Sequence, residues 1–246
     1  MTISLEGKTI LVIGGAKRIG RAVALECALA GANVALTFHT SGDDAQVTLE
    51  ALREAAPTQK FAAFALDITQ VDEWNDVAAT VEKQFGAVFG LVVCAAIFER
   101  TPPATLCEAD FDAHIATNLK GPFLACLTWG ERLVAGGAIV LFSDIHGSRP
   151  LLNYIPYCTS KAGVEMVGKG FAKALAPRGV RVNCIAPGAI LPGENDEDSA
   201  AEMVARVPLG RLGGVEEVAS AVVFLLNGTG FLTGTTLPLD GGQLLR

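Results

Sequence analysis

Two residue types that enzymes often use for proton transfer are scarce in this chain of 246 residues. There are only two Tyr, at positions 154 and 157, and three His, at positions 39, 114 and 146. Metal sites and general acid–base sites are commonly built from His. The sequence therefore offers little material for a mechanism that needs a cluster of His side chains.

Cysteine pairs at metal-binding spacing and long apolar runs are also missing. Wide, irregular gaps separate the six cysteines, which are Cys27, Cys94, Cys107, Cys126, Cys158 and Cys184. This spacing predicts no metal site and no disulfide framework, and it favours buried, reduced thiols. The apolar runs are near strand length, and the first residues do not resemble a signal peptide. We therefore expect a soluble cytoplasmic protein that binds no membrane.

Basic charge is in deficit, because 19 Lys and Arg face 26 Asp and Glu, for a formal charge of −7. Such a balance disfavours a nucleic-acid partner. Half of the residues are apolar and 18% are charged, which excludes a disordered tail protein. Five carboxylates and no basic residue lie between Arg181 and Arg206, so that stretch carries much of the negative charge.

Short apolar runs alternate with longer amphipathic stretches along the whole chain. The runs predict strands at 9–13, 33–38, 61–66, 88–93, 138–142, 180–185 and 235–239. The amphipathic stretches predict helices at 19–30, 43–56, 71–85, 111–133, 157–175 and 215–226, and a short one that starts at a capping box, Ser199–Glu202. Asp43 is the expected N-cap of the second helix. The pattern predicts one α/β domain over residues 1–246, doubly wound and Rossmann-like, with a seven-stranded, mostly parallel sheet and helices on both faces.

A glycine-rich turn follows the first predicted strand and opens a helix; its residues include Gly14, Lys17, Arg18, Ile19 and Gly20. Backbone N–H groups and the helix N-terminus can hold a pyrophosphate there. The two glycines omit the Cβ atoms that would block a tight turn and close packing of the helix. The spacing differs from the GxGxxG fingerprint, but the strand–turn–helix context predicts dinucleotide binding.

The end of the second predicted strand indicates which dinucleotide is bound. An NAD site often has an acid there for the ribose diol. This chain has His39, Thr40 and Ser41 instead, and no carboxylate before Asp43. The hydroxyls and the cations of the glycine-rich turn suit a 2′-phosphate, so we predict NADP(H). NAD(H) stays open, because the acidic pair that begins at Asp43 can turn back toward the ribose.

Tyr157 and Lys161 lie four residues apart on a predicted helix, so both side chains project from one face. A cationic Lys beside a phenol favours the phenolate, and we expect it to lower the pKa of Tyr157. The phenol would then donate and accept protons near neutral pH. The helix follows the fifth strand, at the sheet edge where this fold class binds ligands, so the pair is predicted to be catalytic.

Together these motifs resemble the short-chain dehydrogenase/reductase family over essentially the whole chain. Further matches are Asp67-Ile68 after the third strand, Asn118 in Thr117-Asn118-Leu119, Asn183 to Gly188 after the sixth strand, and Asp240-Gly241-Gly242. The resemblance implies that Asp67 holds the adenine with Ile68 beside it, and that Asn118 supports a water-linked proton path through Lys161. It implies that Pro187, Gly188 and Ile190 flank the nicotinamide. It also implies a homotetramer and a substrate lid around 190–210, whose acidity would disfavour an acidic carrier protein.

Three departures from the family pattern are more informative than the matches. Arg18 replaces the usual second glycine of the turn, and Asp144 replaces the usual catalytic serine thirteen residues before Tyr157. The usual Asn-Asn-Ala-Gly is Val93 to Ala96, in which Cys94, Ala95 and Ala96 are expected to line the cofactor. Arg18 with Asp144 is similar to the pteridine reductase branch, where the position of Phe98 holds an aromatic that sandwiches the pterin against the nicotinamide.

The resemblance thus implies an NADPH-dependent reductase of pterins or dihydropterins, with dihydrofolate as an overlapping substrate. Its predicted catalytic residues are Asp144, Tyr157, Lys161 and Asn118, of which Tyr157 and Lys161 are also predicted to bind the cofactor. Its predicted substrate-binding residues are Phe98, Asp144 and Tyr157. An Asp144 carboxyl bonded to Tyr157 can relay a proton to a ring nitrogen while hydride reaches the adjacent carbon.

Two other hypotheses remain. A carbonyl reductase of the same family, for 3-oxoacyl thioesters or other ketones, would prefer Ser at position 144. A non-catalytic NADP(H)-binding sensor would not need the intact Tyr157, Lys161 and Asn118. Arg149, in the loop beside Asp144, is either a partner for an anionic substrate tail or a solvated surface residue.

Overall fold

Seven strands form one parallel sheet in the order β3-β2-β1-β4-β5-β6-β7 in this computed structural model, which describes residues 3–190 and 200–245. The strands are β1 (Thr9–Ile13), β2 (Asn33–Phe38), β3 (Phe61–Ala65), β4 (Gly90–Val93), β5 (Ala138–Phe142), β6 (Arg181–Pro187) and β7 (Thr236–Leu239). Every recorded pairing between these strands is parallel. The sequence prediction of a doubly wound α/β fold is confirmed.

Helices cover both faces of the sheet. They are α1 (Arg18–Leu29), α2 (Gly42–Ala55), α3 (Val71–Phe85), α4 (Glu108–His114), α5 (Gly121–Trp129), α6 (Ile155–Leu175), α7 (Ala200–Ala205) and α8 (Val215–Asn227). One apolar core contains residues of α1, α2 and α8, and a second contains residues of α3, α5 and α6. Successive β1 side chains alternate between the cores, since Ile10 and Val12 belong to the first and Leu11 and Ile13 to the second.

The strand order reverses between β1 and β4, and this reversal positions the site. Chain connections leave β1 toward β2 on one side and reach β4 on the other, so the loops after these two strands separate. A crevice therefore opens at the carboxyl ends of the strands, which is where doubly wound sheets bind ligands.

The predicted helix at 111–133 is wrong as a single element. The chain forms α4, then a π-helical segment, Ile115–Lys120, then α5, which ends at Trp129. A π-helical segment admits an extra residue per turn and commonly marks a functional position. Here the segment contains Asn118, whose side chain turns toward the loop after β4.

Two smaller predictions also need correction. Ser41, not Asp43, is the N-cap of α2, and Asp43 lies in the first turn, where its charge faces the positive end of the helix. The expectation of buried thiols fails at Cys107, which is exposed at the start of α4.

Part of the predicted acidic lid, including Ser199 of the capping box, lies outside the described residues; α7 begins at Ala200. Within the described ranges, the helices are all too short or too polar to span a bilayer.

Candidate active site

The glycine-rich turn brings the chain very close to the loop after β4. Gly14 has a left-handed φ of +75°, and a Cβ placed on it would lie 2.8 Å from the backbone nitrogen of Ala95. A Cβ on Gly20 would overlap the carbonyl oxygen of Gly14. Both positions therefore require glycine, as the sequence pattern predicts.

Two threonines that the sequence analysis missed fix the shape of this turn. The buried Thr37, on β2, accepts the N–H of Gly14 with its hydroxyl at 3.2 Å and the N–H of Gly15 with its carbonyl at 3.0 Å. From α2, the hydroxyl of Thr48 donates to the carbonyl of Ala16 at 2.7 Å. The shape of the loop is thus fixed by hydrogen bonds to β2 and α2.

The start of α1 supplies donors for an anion. Its first recorded backbone bond runs from the N–H of Arg21 to the carbonyl of Lys17, at 3.2 Å. The N–H groups of Arg18, Ile19 and Gly20 precede it and have no helical carbonyl to bind. Such a helix start attracts phosphate groups. The side chains of Lys17 and Arg18 are exposed beside it, and no acid occupies the first turn.

Arg18 adopts a backbone conformation that explains why a glycine is usual at this place. Its φ is +52°, in the left-handed region. A non-glycine residue there costs about 1–2 kcal/mol. The backbone strain at Arg18 lies at a helix start that suits phosphate. This combination indicates that the charge of Arg18 has a function.

Residues predicted to hold the adenosine lie at the ends of β2 and β3. His39 Nε2 is 3.9 Å from Asp67 Oδ2, and Thr40 and Ser41 follow His39 directly. Asp67 accepts the backbone N–H of Thr69 at 2.9 Å, and this bond is the main cause of its lowered pKa. The carboxylate therefore stays ionised as an acceptor, while Ile68 is buried beside it.

Asn118 holds the loop after β4. Its Oδ1 accepts the backbone N–H of Ile97 and its Nδ2 donates to the Ile97 carbonyl, both at 2.8 Å. Cys94 and Ala95 both donate their N–H groups to the carbonyl of Ile13. The side chain of Asn118 therefore holds the loop after β4 through both backbone polar groups of Ile97.

Tyr157 and Asp144 meet, as the family resemblance implies. The Tyr157 hydroxyl donates to Asp144 Oδ2 at 2.7 Å, and Asp144 Oδ1 accepts the backbone N–H of His146 at 2.8 Å. Tyr157 is buried, and burial, followed by the charge of Asp144, raises its pKa well above the ordinary value. The expectation of a lowered pKa for Tyr157 is therefore wrong, and Tyr157 is held as a neutral phenol.

Lys161 is buried beside the pair without bonding to the phenol. Its Nζ donates to the carbonyl of Phe142 at 2.8 Å and lies 5.6 Å from the centre of the Tyr157 ring. Burial lowers its pKa to about 8, and the charge of Asp144 opposes that shift. Lys161 thus remains mostly cationic at neutral pH and loses its charge as the pH rises through about 8.

Ser143, one residue before Asp144, does not supply the missing hydroxyl. Its Oγ lies 3.1 Å from the Lys161 carbonyl and 3.0 Å from Glu165 Oε1, and the residue is buried. This hydroxyl binds α6 and does not contact Tyr157. Asp144 is therefore the side chain that bonds to the Tyr157 hydroxyl, at the sequence position where the family resemblance implies a serine.

Phe98 lies at the mouth of the site, next to both tyrosines. It is 44% exposed, which excludes an ordinary core position. One ring face stacks on Tyr154, with centroids 4.4 Å apart, and its contact with Tyr157 is edge-on at 4.7 Å. The sequence analysis did not single out Tyr154, although it is one of only two tyrosines in the chain. Only the other face of Phe98 can stack on a flat ligand.

The remaining predicted residues come from β6 and the loop after β5. Pro187 ends β6, the N–H of Gly188 donates to the Leu239 carbonyl at 3.0 Å, and Ile190 is buried. Arg149 donates to the main-chain carbonyl of Gln243 at 3.0 Å, a contact that neither sequence hypothesis foresaw.

The fold and this arrangement define a class: a doubly wound oxidoreductase with a Tyr–Lys pair at the carboxyl edge of its sheet. A family model described as Enoyl-(Acyl carrier protein) reductase matches residues 14–243. The chain is 33% identical to the 3-oxoacyl-[acyl-carrier-protein] reductase FabG of Thermotoga maritima, over 98% of this chain and 99% of that enzyme. It belongs to the short-chain dehydrogenase/reductase family.

Solved structures agree with this assignment. A dehydrogenase/reductase from Sinorhizobium meliloti superposes with a TM-score of 0.93 at 32% identity, covering 98% of this chain and 97% of that one. A short-chain dehydrogenase from Burkholderia cenocepacia in complex with NADP gives 0.91 at 30% identity, covering 97% and 98%. These similarities establish the family, and the FabG match favours the carbonyl-reductase hypothesis over the pteridine reductase branch.

Proposed function

We propose that the chain is an NADP(H)-dependent reductase that transfers a hydride to a pterin or dihydropterin, dihydrofolate included. The observation that carries this proposal is the 2.7 Å hydrogen bond from the Tyr157 hydroxyl to Asp144. A ketone reductase of the family would have a serine hydroxyl at position 144 instead of this carboxylate. A single catalytic domain over residues 1–246, a lid around 190–210, a cytoplasmic location and a homotetramer are parts of the same proposal.

The described residues fit a dinucleotide. The close approach of Gly14 to Ala95 leaves a cradle without side chains, and the start of α1 presents free N–H groups to a pyrophosphate. Lys17 and Arg18 would pair with a 2′-phosphate, and Asp67 would accept from the adenine amino group. When bound, the reduced nicotinamide supplies the hydride.

The electrostatics of the site distinguish a ring nitrogen from a ketone oxygen. Hydride addition to a ketone builds negative charge on oxygen, which a carboxylate at Asp144 would repel. A ring C=N nitrogen is basic enough to take up a proton before or as hydride reaches the adjacent carbon, and a carboxylate stabilises the positive charge on the protonated ring. The Tyr157 hydroxyl supplies that proton, through Asp144, to which it is hydrogen-bonded, and the cationic Lys161 offsets the negative charge left on the pair.

The mouth of the site fits a flat, conjugated substrate. Phe98 offers one uncovered face, because Tyr154 covers the other at 4.4 Å. A pterin ring placed on that face would stack within the range of aromatic pairs. Tyr157, which contacts the same Phe98 edge-on, would then lie beside the stacked ring.

The second candidate function is a carbonyl reductase for 3-oxoacyl thioesters or other ketones. The similarity to a 3-oxoacyl-[acyl-carrier-protein] reductase over nearly the whole chain favours it. The carboxylate at position 144 counts against it for the electrostatic reason given above. A non-catalytic NADP(H) sensor is the third candidate, and the intact geometry of Tyr157 and Lys161 counts against it.

The proposal is tested by the rate of NADPH oxidation with a panel of substrates: dihydrobiopterin, oxidised biopterin, dihydrofolate and an acetoacetyl thioester. We expect faster turnover with a pterin than with the thioester, and a preference for NADPH over NADH. Robust ketone reduction with no turnover of any pterin would establish the second candidate instead. Cofactor binding without turnover of any substrate would favour the sensor.

A further inference from the structure

The C-terminal turn, Gln243–Leu245, lies between two segments of the candidate site. The side-chain oxygen of Gln243 accepts the backbone N–H of Ala189 at 3.1 Å, beside the residues predicted to flank the nicotinamide. The main-chain carbonyl of the same residue accepts the guanidinium of Arg149, in the loop that carries Asp144. One residue near the end of the chain therefore contacts both the cofactor side and the substrate side.

The Asp-Gly-Gly signature holds this turn in place. Asp240 accepts the N–H of Gly242 with one carboxylate oxygen at 2.9 Å and the N–H of Leu244 with the other at 2.7 Å. The N–H of Gln243 donates to the Asp240 carbonyl at 3.1 Å. Because the backbone on both sides of Gln243 is bonded, its side chain is aimed by the turn rather than by chance contacts.

The segment that Gln243 binds is held almost entirely by backbone bonds. The N–H of Gly188 donates to the Leu239 carbonyl at 3.0 Å, and the Ala189 carbonyl accepts the N–H of Gly213 at 3.0 Å. The bond to the Ala189 N–H is the one in this set that comes from a side chain. A Cβ on Gly188 would lie 2.8 Å from Gln243 Oε1, so the Gln243 side chain packs closely against this segment.

We infer that Gln243 is a positioning residue that sets the segment beside the nicotinamide and, through Arg149, the loop that carries Asp144. The inference rests on the proposed function, since it assumes a nicotinamide at Pro187–Ile190. A side chain without an acceptor leaves the Ala189 N–H unpaired and frees the segment to shift. Loss of the bond to Ala189 should therefore weaken cofactor binding, whereas loss of the Arg149 contact should weaken substrate binding.

The test compares Gln243→Met, which lacks the acceptor, with Gln243→Glu, which keeps an oxygen at the same position. We expect Gln243→Met to raise the Kd of NADPH roughly tenfold, the effect of one lost hydrogen bond. Gln243→Glu should stay within about threefold of the wild type, because its carboxylate still accepts the Ala189 N–H. The Kd is read from the fluorescence of bound NADPH, and the Tm of each variant reports on folding.

Arg149→Met tests the second contact. We expect it to raise the KM of the best substrate in the panel about threefold while the Kd of NADPH stays unchanged, the pattern of one weakened polar contact. Leu245→Ala is the matched control, since this side chain lies in the same turn and is 87% exposed. It should change neither quantity.

The outcomes separate the inference from the function on which it rests. A Gln243→Met protein that binds NADPH as the wild type does overturns the inference alone, as does an equal loss in the Met and Glu variants. If Gln243→Met fails to fold, Gln243→Asn replaces it, because its oxygen is one methylene too short to reach, and the same outcomes apply. A wild-type protein that binds neither NADPH nor NADH contradicts the proposed function and the inference with it.

Discussion

The two halves of the candidate site are built by different means. At the ends of β1 to β3, contact comes from backbone: Gly14 against Ala95, and the turn bonded to Thr37. At the ends of β5 and β6, the chemistry comes from side chains, chiefly Asp144 and Tyr157. The backbone of the fold therefore shapes the first half, whereas a few side chains set the chemistry of the second. The comparison teaches that whole-chain similarity is a better guide to cofactor binding than to substrate.

The largest expected effect is on the side-chain half. Tyr157→Phe removes the phenolic proton donor but keeps the ring against Phe98, so kcat should fall about 10²- to 10⁴-fold. The Kd of NADPH should change little, because the cofactor half does not need the hydroxyl. Single-turnover kinetics and fluorescence titration measure the two quantities. A variant with the wild-type rate would mean that the proton comes from another group.

The backbone half should respond in the opposite way. Gly14→Ala puts a methyl group against the Ala95 backbone at a φ of +75°, so we expect a Kd for NADPH raised roughly tenfold or more, beyond about 1–2 kcal/mol of lost stability. Gly7→Ala is the control, since its φ is +69° and a Cβ there meets no atom within 4 Å. It should lower the Tm through strain alone. Equal effects of both variants on NADPH binding would remove the special role of the cradle.

Arg18 combines both features, because it places a charged side chain in the backbone half of the site and holds its own backbone in a strained conformation. Arg18→Ala and Arg18→Gly should both weaken NADPH several-fold and leave NADH nearly unchanged, as expected for one exposed phosphate contact. The glycine variant should be more stable than the alanine variant by about 1 kcal/mol, since glycine adopts the φ of +52° without strain. Titration with both cofactors and thermal melts measure these differences. Equal losses of NADPH and NADH would make the role of Arg18 structural.

Much of the fold was predictable because its pattern is local. Continuous apolar strands and amphipathic helices follow from neighbouring residues, and the seven strands appear within a few residues of their predicted bounds. The π-helical segment Ile115–Lys120 was not predicted; it contains Asn118, which bonds to Ile97 on a separate loop 21 residues away. Helical periodicity does not report such a distant partner.

The site divides in the same way. The contact between Asp144 and Tyr157 was available from the sequence through the family resemblance, which implies it thirteen residues apart. The raised pKa of Tyr157 was beyond a sequence argument, since it depends first on how deeply the fold buries the phenol and then on the charge of Asp144. The contact of Arg149 with Gln243 joins residues 94 positions apart, which no local pattern indicates.

The central claim is that Asp144 adapts a ketone-reductase framework to a ring nitrogen, and Asp144→Ser tests it most directly. The measurement is the ratio of kcat/KM for dihydrobiopterin to that for an acetoacetyl thioester, in the wild type and the variant. We predict a fall in this ratio of about 100-fold or more. The serine hydroxyl stabilises a developing oxyanion, and the carboxylate that relays a proton to nitrogen is lost. An unchanged ratio, or a wild type that already prefers the thioester, would contradict the account.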